Sequence, residues 1–67
     1  MPNMDLLRQK IDDSGMTVTA IANKSGMLRA TLYNRLNGCG DWTASEITGM
    51  TKALRLTRAE REKIFLS

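Results

Sequence analysis

The stretch that decides the fold runs from Thr17 to Asn37 and reads TVTAIANKSGMLRATLYNRLN. Its first half places apolar or small residues at the i, i+3, i+4 and i+7 positions of one helix face, namely Val18, Ile21, Ala22 and Ser25. Thr17 is a suitable N-cap, because its hydroxyl can accept from the unpaired backbone N–H groups of the first turn. Gly26 then ends the helix, since glycine takes the left-handed conformation without a Cβ penalty.

Helical spacing resumes after Gly26 and predicts a second helix over about residues 28–37. Its apolar side consists of Leu28, Leu32 and Leu36, with the core placed between Leu32 and Leu36. Its opposite side is small or polar and carries Ala30, Asn34 and Asn37. Two short helices joined by a tight glycine turn form a helix-turn-helix, whose second helix can lie in the DNA major groove.

The run from Met16 to Gly38 resembles the repressor/Cro-like helix-turn-helix family of phages and bacteria. The shared features follow one another without a gap: Met16-Thr17, Ile21-Ala22, Gly26-Met27 and Asn37-Gly38. Leu28 occupies the position where the family usually has a Ser or Thr cap. The chain is most similar to small Cro-type proteins of phages of low-GC Gram-positive bacteria, over nearly its whole length. The resemblance implies a compact five-helix, lambda-repressor-like DNA-binding domain.

Three further helices are predicted outside this stretch. Asn3 is a candidate cap for the first helix, which ends at Gly15. Thr43 with Glu46, and Thr57 with Glu60, have the spacing of capping boxes, in which each side chain satisfies a backbone donor of the other residue. No strand-like alternation occurs. We therefore predict an all-α fold of five helices forming a single domain over residues 1–67.

The exposed side of the second helix of the motif carries the candidate base-reading residues. At about 100° per residue, the side chains that point away from Leu32 and Leu36, or begin the helix, are Arg29, Ala30, Tyr33 and Asn34. Asn can bond bidentately to adenine, Arg can do so to guanine, and Ala can meet a thymine methyl. The alternative interpretation is a solvated polar face.

The candidate contacts to the DNA backbone surround these residues, and such contacts position a protein without reading sequence. They are Thr17, Thr19, Lys24, Thr31, Arg35, Asn37 and Gly38. For Lys24 and Arg35 a plain solvated charge explains the residue nearly as well. The other basic residues, among them Arg8 and Lys10, are expected to serve solubility.

The candidate contacts to a partner chain are apolar and come after the motif. Trp42 is predicted to cover the core or a dimer seam, because tryptophan is enriched among interface hot spots. Ile64, Phe65 and Leu66 form either the last buried turn or a dimer contact.

Composition limits the remaining function classes. Ten Lys and Arg against seven Asp and Glu give a net charge of +3 and a pI near 9.5, which suits a nucleic-acid partner. The absence of histidine removes the usual general base and the common zinc ligands, and one cysteine cannot form an internal disulfide. We expect no enzyme activity, metal, cofactor or small-molecule ligand. With no apolar run of about 18 residues and no leader, a cytoplasmic, nucleoid-associated protein of a bacterial host cell is expected.

These observations favour a sequence-specific regulator of transcription that binds a double-stranded DNA operator as a homodimer. Whether that dimer also exists off DNA is left open by the sequence. An alternative from another class is an antirepressor-type interaction protein that sequesters a partner regulator. A DNA-binding accessory, such as an excision factor, would use the same surface and is not separable at this level.

Overall fold

Five helices follow one another along residues 2–66, the part of the chain that the computed structural model describes. They are α1 (Met4–Ser14), α2 (Val18–Ser25), α3 (Arg29–Leu36), α4 (Ala44–Leu54) and α5 (Arg58–Phe65). These residues contain no strand. The prediction of an all-α fold with five helices is confirmed.

Four of the five helices begin at a polar side chain that accepts from the backbone of the first turn. These caps are Asn3, Thr17, Thr43 and Thr57. Both predicted capping boxes are formed, because Glu46 and Glu60 also accept from the backbone N–H of their caps. The exception is α3, whose N-cap Leu28 provides no side-chain acceptor.

Left-handed residues end the first two helices, as the glycine positions predict. Gly15 has φ +71° and Gly26 has φ +76°, and each donates its backbone N–H to a carbonyl of the last turn. The end of α4 differs, because the left-handed residue there is Arg55, with φ 52°. No glycine marks that position in the sequence.

A single apolar cluster lies between the helices. Its buried members are Leu7, Ile11, Ile21, Ala22, Leu32, Leu36, Met50, Ala53, Leu56, Ile64 and Phe65. No polar or charged residue within residues 2–66 is buried. The start of α1 lies against the end of α5, since the backbone N–H of Asn3 donates to the carbonyl of Ile64 at 2.6 Å.

The backbones of α4 and α2 come very close together at Gly49. A Cβ atom placed on Gly49 would overlap the carbonyl oxygen of Ser25, the last residue of α2. Only a residue without a side chain allows the two backbones this distance. The contact fixes the end of α2, and therefore the turn that leads into α3.

The second helix of the central stretch is shorter than the predicted range of 28–37. It spans Arg29–Leu36, so Leu28, which the spacing placed on the apolar side, lies just before the helix as its N-cap. Leu28 has an extended backbone (φ −71°, ψ 144°), so its side chain leaves the helical spacing and is 76% exposed. Leu32 and Leu36 are buried as predicted.

Candidate nucleic-acid interface

The exposed side of α3 brings together the four residues predicted to read bases. Arg29, Ala30, Tyr33 and Asn34 are all exposed, and we call this set the α3 face. Leu32 and Leu36 hold the opposite side of the helix in the core. The helical period therefore gives α3 one side buried in the core and one side exposed to solvent, as expected from the spacing.

Two side chains of the α3 face contact each other. The guanidinium carbon of Arg29 lies 5.0 Å from the centre of the Tyr33 ring, within the range of a cation–π contact. A long hydrogen bond of 3.5 Å joins the Arg29 guanidinium to the Tyr33 hydroxyl. Both contacts span one helical turn, and they limit the directions in which the Arg29 donors point.

The start of α2 lies beside the α3 face. Val18 and Tyr33 line the same shallow depression, together with Asp12 of α1. Thr17 accepts from the backbone N–H of Ala20 at 3.1 Å, which leaves its hydroxyl hydrogen free to donate outward. Apart from that of Ala20, the first-turn N–H groups of α2 lack partners within the helix, so this end of α2 can donate to an anion.

The charged side chains of residues 17–37 are all positive. Residues 17–37 contain Lys24, Arg29 and Arg35 and no carboxylate. Lys24 and Thr19 are exposed on α2, and Lys24 forms no ion pair within residues 2–66. Thr31 is half-buried at the flank of α3. The carboxylate of Asp12, at the edge of the depression, opposes the approach of a phosphate there.

Arg35 has a different environment from the one predicted for a phosphate contact. Its guanidinium bonds both carboxylate oxygens of Glu46, with a distance of 3.1 Å from Nε, and it also donates to the carbonyl of Cys39. Burial raises the pKa of Glu46, but the backbone N–H of Thr43 and the Arg35 guanidinium outweigh burial and lower that pKa below its ordinary value. Arg35 therefore joins α3 to α4, and its predicted phosphate contact stays a prediction.

The end of α3 is also engaged within the fold. The backbone N–H of Asn37 donates to the carbonyl of Tyr33, and that of Gly38 donates to the carbonyl of Arg35 at 3.1 Å. The predicted phosphate donors of this turn are thus already used, apart from the side-chain amide of Asn37. Gly38 has φ +82°, which explains the glycine at this position.

Arg8 of α1 is a positioning residue that sequence reasoning assigned to solubility. Its guanidinium donates to the carbonyl of Leu36 and to the side-chain oxygen of Asn37, each at 2.9 Å. A cation at this end of α3 also interacts favourably with the helix dipole. The pairing spans 28 residues of chain, so no local signal in the sequence could reveal it.

The candidate partner residues divide into buried and exposed members. Trp42 packs edge-on against Phe65, with ring centres 5.0 Å apart and planes at 66°. Ile64 and Phe65 belong to the core, so the role of last buried turn is the one observed for them. Leu66 is 71% exposed and adjoins an apolar cavity lined by Ile47 and Phe65.

The described residues were also considered for a metal site, a reactive thiol and a membrane-spanning helix. Within residues 2–66, no three His, Cys, Asp or Glu residues are grouped as a metal site requires. Cys39 is an exposed free thiol. None of the five helices is both long and apolar enough to cross a membrane.

Comparisons with known proteins give no relative from which residues can be carried over. No family model, no curated protein and no solved structure matches this chain. The α3 face and the adjoining start of α2 are therefore interpreted from their own geometry.

Proposed function

We propose that this protein is a sequence-specific regulator of transcription that binds double-stranded DNA, with α2, the turn at Gly26 and α3 acting as a helix-turn-helix. The observation that carries the proposal is the α3 face, where four side chains able to contact base edges lie together opposite the buried leucines. An α-helix with its side chains is about 10–12 Å in diameter, and the major groove is about 12 Å wide. Thus α3 can enter the groove as the recognition helix.

Each residue of the α3 face has its own role in this proposal. Asn34 bonds bidentately to N6 and N7 of an adenine, and Arg29 to O6 and N7 of a guanine. Ala30 has room for a thymine methyl, and Tyr33 offers its hydroxyl. The contacts between Arg29 and Tyr33 reduce the freedom that Arg29 loses on binding.

Contacts to the DNA backbone come from α2. Thr17 and Thr19 at its start, together with the first-turn N–H groups, donate to one phosphate, and Lys24 supplies a charge at its other end. Arg8 holds the end of α3 in place without contacting DNA. The resemblance to the repressor/Cro-like family implies the same division between a positioning helix and a reading helix.

The operator is proposed to be read by a symmetric dimer in the bacterial cytoplasm. Two recognition helices then contact half-sites about 34 Å apart, which is one turn of DNA. The exposed Leu66 and the outer edge of Trp42 are the candidate dimer contacts, whereas the fully buried Ile64 contributes only to the core. The dimer is expected to form on DNA even where the free protein is monomeric, because both half-sites favour it.

The first test is selection from a randomised duplex library, followed by a salt titration of the enriched duplex. We expect an inverted repeat with half-site centres about 10 bp apart. Affinity should fall steeply with salt, because phosphate contacts release counterions. If no duplex is enriched and affinity stays no tighter than ~10⁻⁴–10⁻⁶ M, the protein binds DNA only non-specifically and the proposal is wrong.

Two exposed residues then separate reading from positioning. Asn34→Ala should weaken binding to the operator by ~1–3 kcal/mol and leave non-specific binding nearly unchanged. Lys24→Ala should weaken all duplexes together and lower the salt slope by about 1. Equal losses on both kinds of duplex would remove Asn34 from the reading residues, and an unchanged slope would remove Lys24 from the phosphate contacts.

A second candidate function is supported by the exposed Leu66 beside the apolar cavity at Phe65. In this alternative the protein is an antirepressor that binds a partner regulator through that apolar surface. Leu66→Asp would then abolish the complex with the regulator, while substitutions on the α3 face would not affect it. Tight duplex binding with the salt dependence above would argue against this function.

A further inference from the structure

Leu28 is an exposed apolar side chain directly before the first residue of the α3 face. At 76% exposure it contributes little to the core, and it provides no cap for α3, although its backbone carbonyl begins the helix by accepting from Leu32 at 3.0 Å. An exposed leucine with no packing role is an ordinary surface feature when it stands alone. Here it directly precedes Arg29, whose guanidinium lies over the ring of Tyr33.

Arg29 lies between two apolar groups on the chain. Leu28 precedes it, and the Tyr33 ring lies under its guanidinium at 5.0 Å. A guanidinium stacked on a ring can adopt fewer orientations than a free one. Its paired N–H donors therefore point in a narrow range of directions. The chain thus carries a bidentate donor of restricted orientation directly after an exposed apolar residue.

The matching chemistry in the major groove is a guanine beside a methylated pyrimidine. Guanine offers O6 and N7 as paired acceptors, and the 5-methyl group is the apolar feature of the groove. We propose that Arg29 binds a guanine while Leu28 contacts the 5-methyl group of the adjacent pyrimidine, making Leu28 a determinant of specificity. The inference rests on the proposed function, because it requires α3 to lie in the major groove.

The source of the methyl group is either thymine or 5-methylcytosine, which share this chemistry. Ala30 is too short to cover the same group together with its own contact, whereas a leucine side chain extends two further carbon–carbon bonds beyond Cβ. Burial of one methyl-sized group is worth about 0.8 kcal/mol, which corresponds to about a fourfold change in affinity. That factor is the size of effect that the experiment must resolve.

The experiment uses the enriched operator and the full chain. Each thymine of a half-site is replaced singly by deoxyuridine, which removes only the methyl group. One replacement beside a guanine should lower the affinity of the unaltered protein about fourfold. The same position is then tested as cytosine and as 5-methylcytosine, where the methylated base should bind more tightly than cytosine. A response limited to thymine would assign the contact to thymine alone.

Variants identify the side chain responsible. Leu28→Ala should bind the thymine and deoxyuridine duplexes equally, whereas Leu28→Met, which keeps the apolar reach, should retain the difference. Lys24→Ala serves as the matched control, because it should weaken both duplexes and leave their ratio unchanged. Thermal unfolding of each variant verifies that the fold is kept.

The guanine is tested in parallel. Replacement by 7-deazaguanine removes the N7 acceptor, and it should weaken binding by the unaltered protein but not by Arg29→Ala. A methyl effect that persists in Leu28→Ala, or a half-site with no methyl effect at all, would overturn the inference while the proposed function stands. Failure to enrich any duplex would instead overturn the proposed function, and the inference with it.

Discussion

Arg55 has the backbone conformation of a glycine. It ends α4 with φ 52°, and it is the single non-glycine residue with positive φ among residues 2–66. A left-handed conformation costs an L-residue roughly 1–2 kcal/mol, of which about 0.5–1 is returned by the greater flexibility of glycine in the unfolded chain. Sequence alone could not predict this strain, because a charged residue at the end of a helix is usually interpreted as a favourable partner of its dipole.

Arg55→Gly should therefore stabilise the protein. We expect the free energy of unfolding to rise by about 0.5–1 kcal/mol, measured by urea denaturation at neutral pH. Arg55→Ala is the matched control, since it removes the charge but keeps the Cβ atom, and it should give no comparable gain. An equal gain from both variants would show that the charge of Arg55, rather than its backbone, is unfavourable.

The residues of the candidate site were predictable to different degrees. Arg29, Ala30, Tyr33 and Asn34 follow from the 3.6-residue period, because Leu32 and Leu36 on one side determine which side is free. The roles of Arg8 and Arg35 could not be predicted, since each depends on a helix distant in sequence. The 3.6-residue period shows which side of one helix is buried, but it does not show which other helix packs against that side.

At the scale of helices, Gly49 is the residue on which the arrangement of α2 depends. Glycine within a helix usually costs about 0.5–1 kcal/mol relative to alanine, so Gly49→Ala would stabilise α4 if that site were open. The carbonyl oxygen of Ser25 occupies the space of the new methyl group. We therefore expect a loss of about 1–3 kcal/mol in the free energy of unfolding, measured by urea denaturation.

Thr48→Ala provides the control for Gly49→Ala, because Thr48 is the exposed neighbour on the same helix. It should change the free energy of unfolding little. A stabilising Gly49→Ala would contradict the close approach of α2 and α4. If the loss occurs as expected, operator affinity of the folded variant should also fall, because the end of α2 sets the position of α3.

Helix boundaries were largely predictable because their signals are local. The capping boxes at Thr43 and Thr57 and the glycine at position 26 act within one turn of helix, so the sequence contains the whole interaction. Leu28 is the instructive failure. Its spacing from Leu32 indicates the buried side, but the spacing applies only inside a helix, and Leu28 lies just before one.

For the molecule as a whole, acid should weaken the packing between helices. The hydrogen bond from Lys10 and the backbone N–H of Thr57 lower the pKa of Glu60, and the pKa of Glu46 is also lowered. Glu60 joins α5 to α1 through Lys10, and Glu46 joins α4 to α3 through Arg35. Both carboxylates therefore cap one helix and hold a second one.

The sign of the pH dependence follows from these lowered pKa values. Below the ordinary glutamate value of 4.5, the unfolded chain binds more protons than the folded protein, so stability present above that pH is lost as the pH falls through the folded values. Urea midpoints should be level from pH 7 to 5 and decline below 4.5. The double variant Glu46→Gln and Glu60→Gln should start lower at pH 7 and decline less.

Glu62→Gln is the control for this decline, because the partner of Glu62 is the largely exposed Arg58 on the same helix. It should leave the shape of the pH profile unchanged. A profile that the double variant does not flatten would show that other groups govern acid unfolding.

The contact between Asn3 and Ile64 makes the polypeptide nearly a closed ring. The same packing of helices could therefore be reached by a chain that connects them in a different order. The exposed segment 38–41 is a natural place to open it, since permuted chains tolerate new ends at exposed loops. A permuted chain joined between residues 66 and 2 and opened within segment 38–41 would run from α4 through α5, α1 and α2 to α3. The proposed reading helix would then be terminal, where a second DNA-binding unit can be fused without crossing the core.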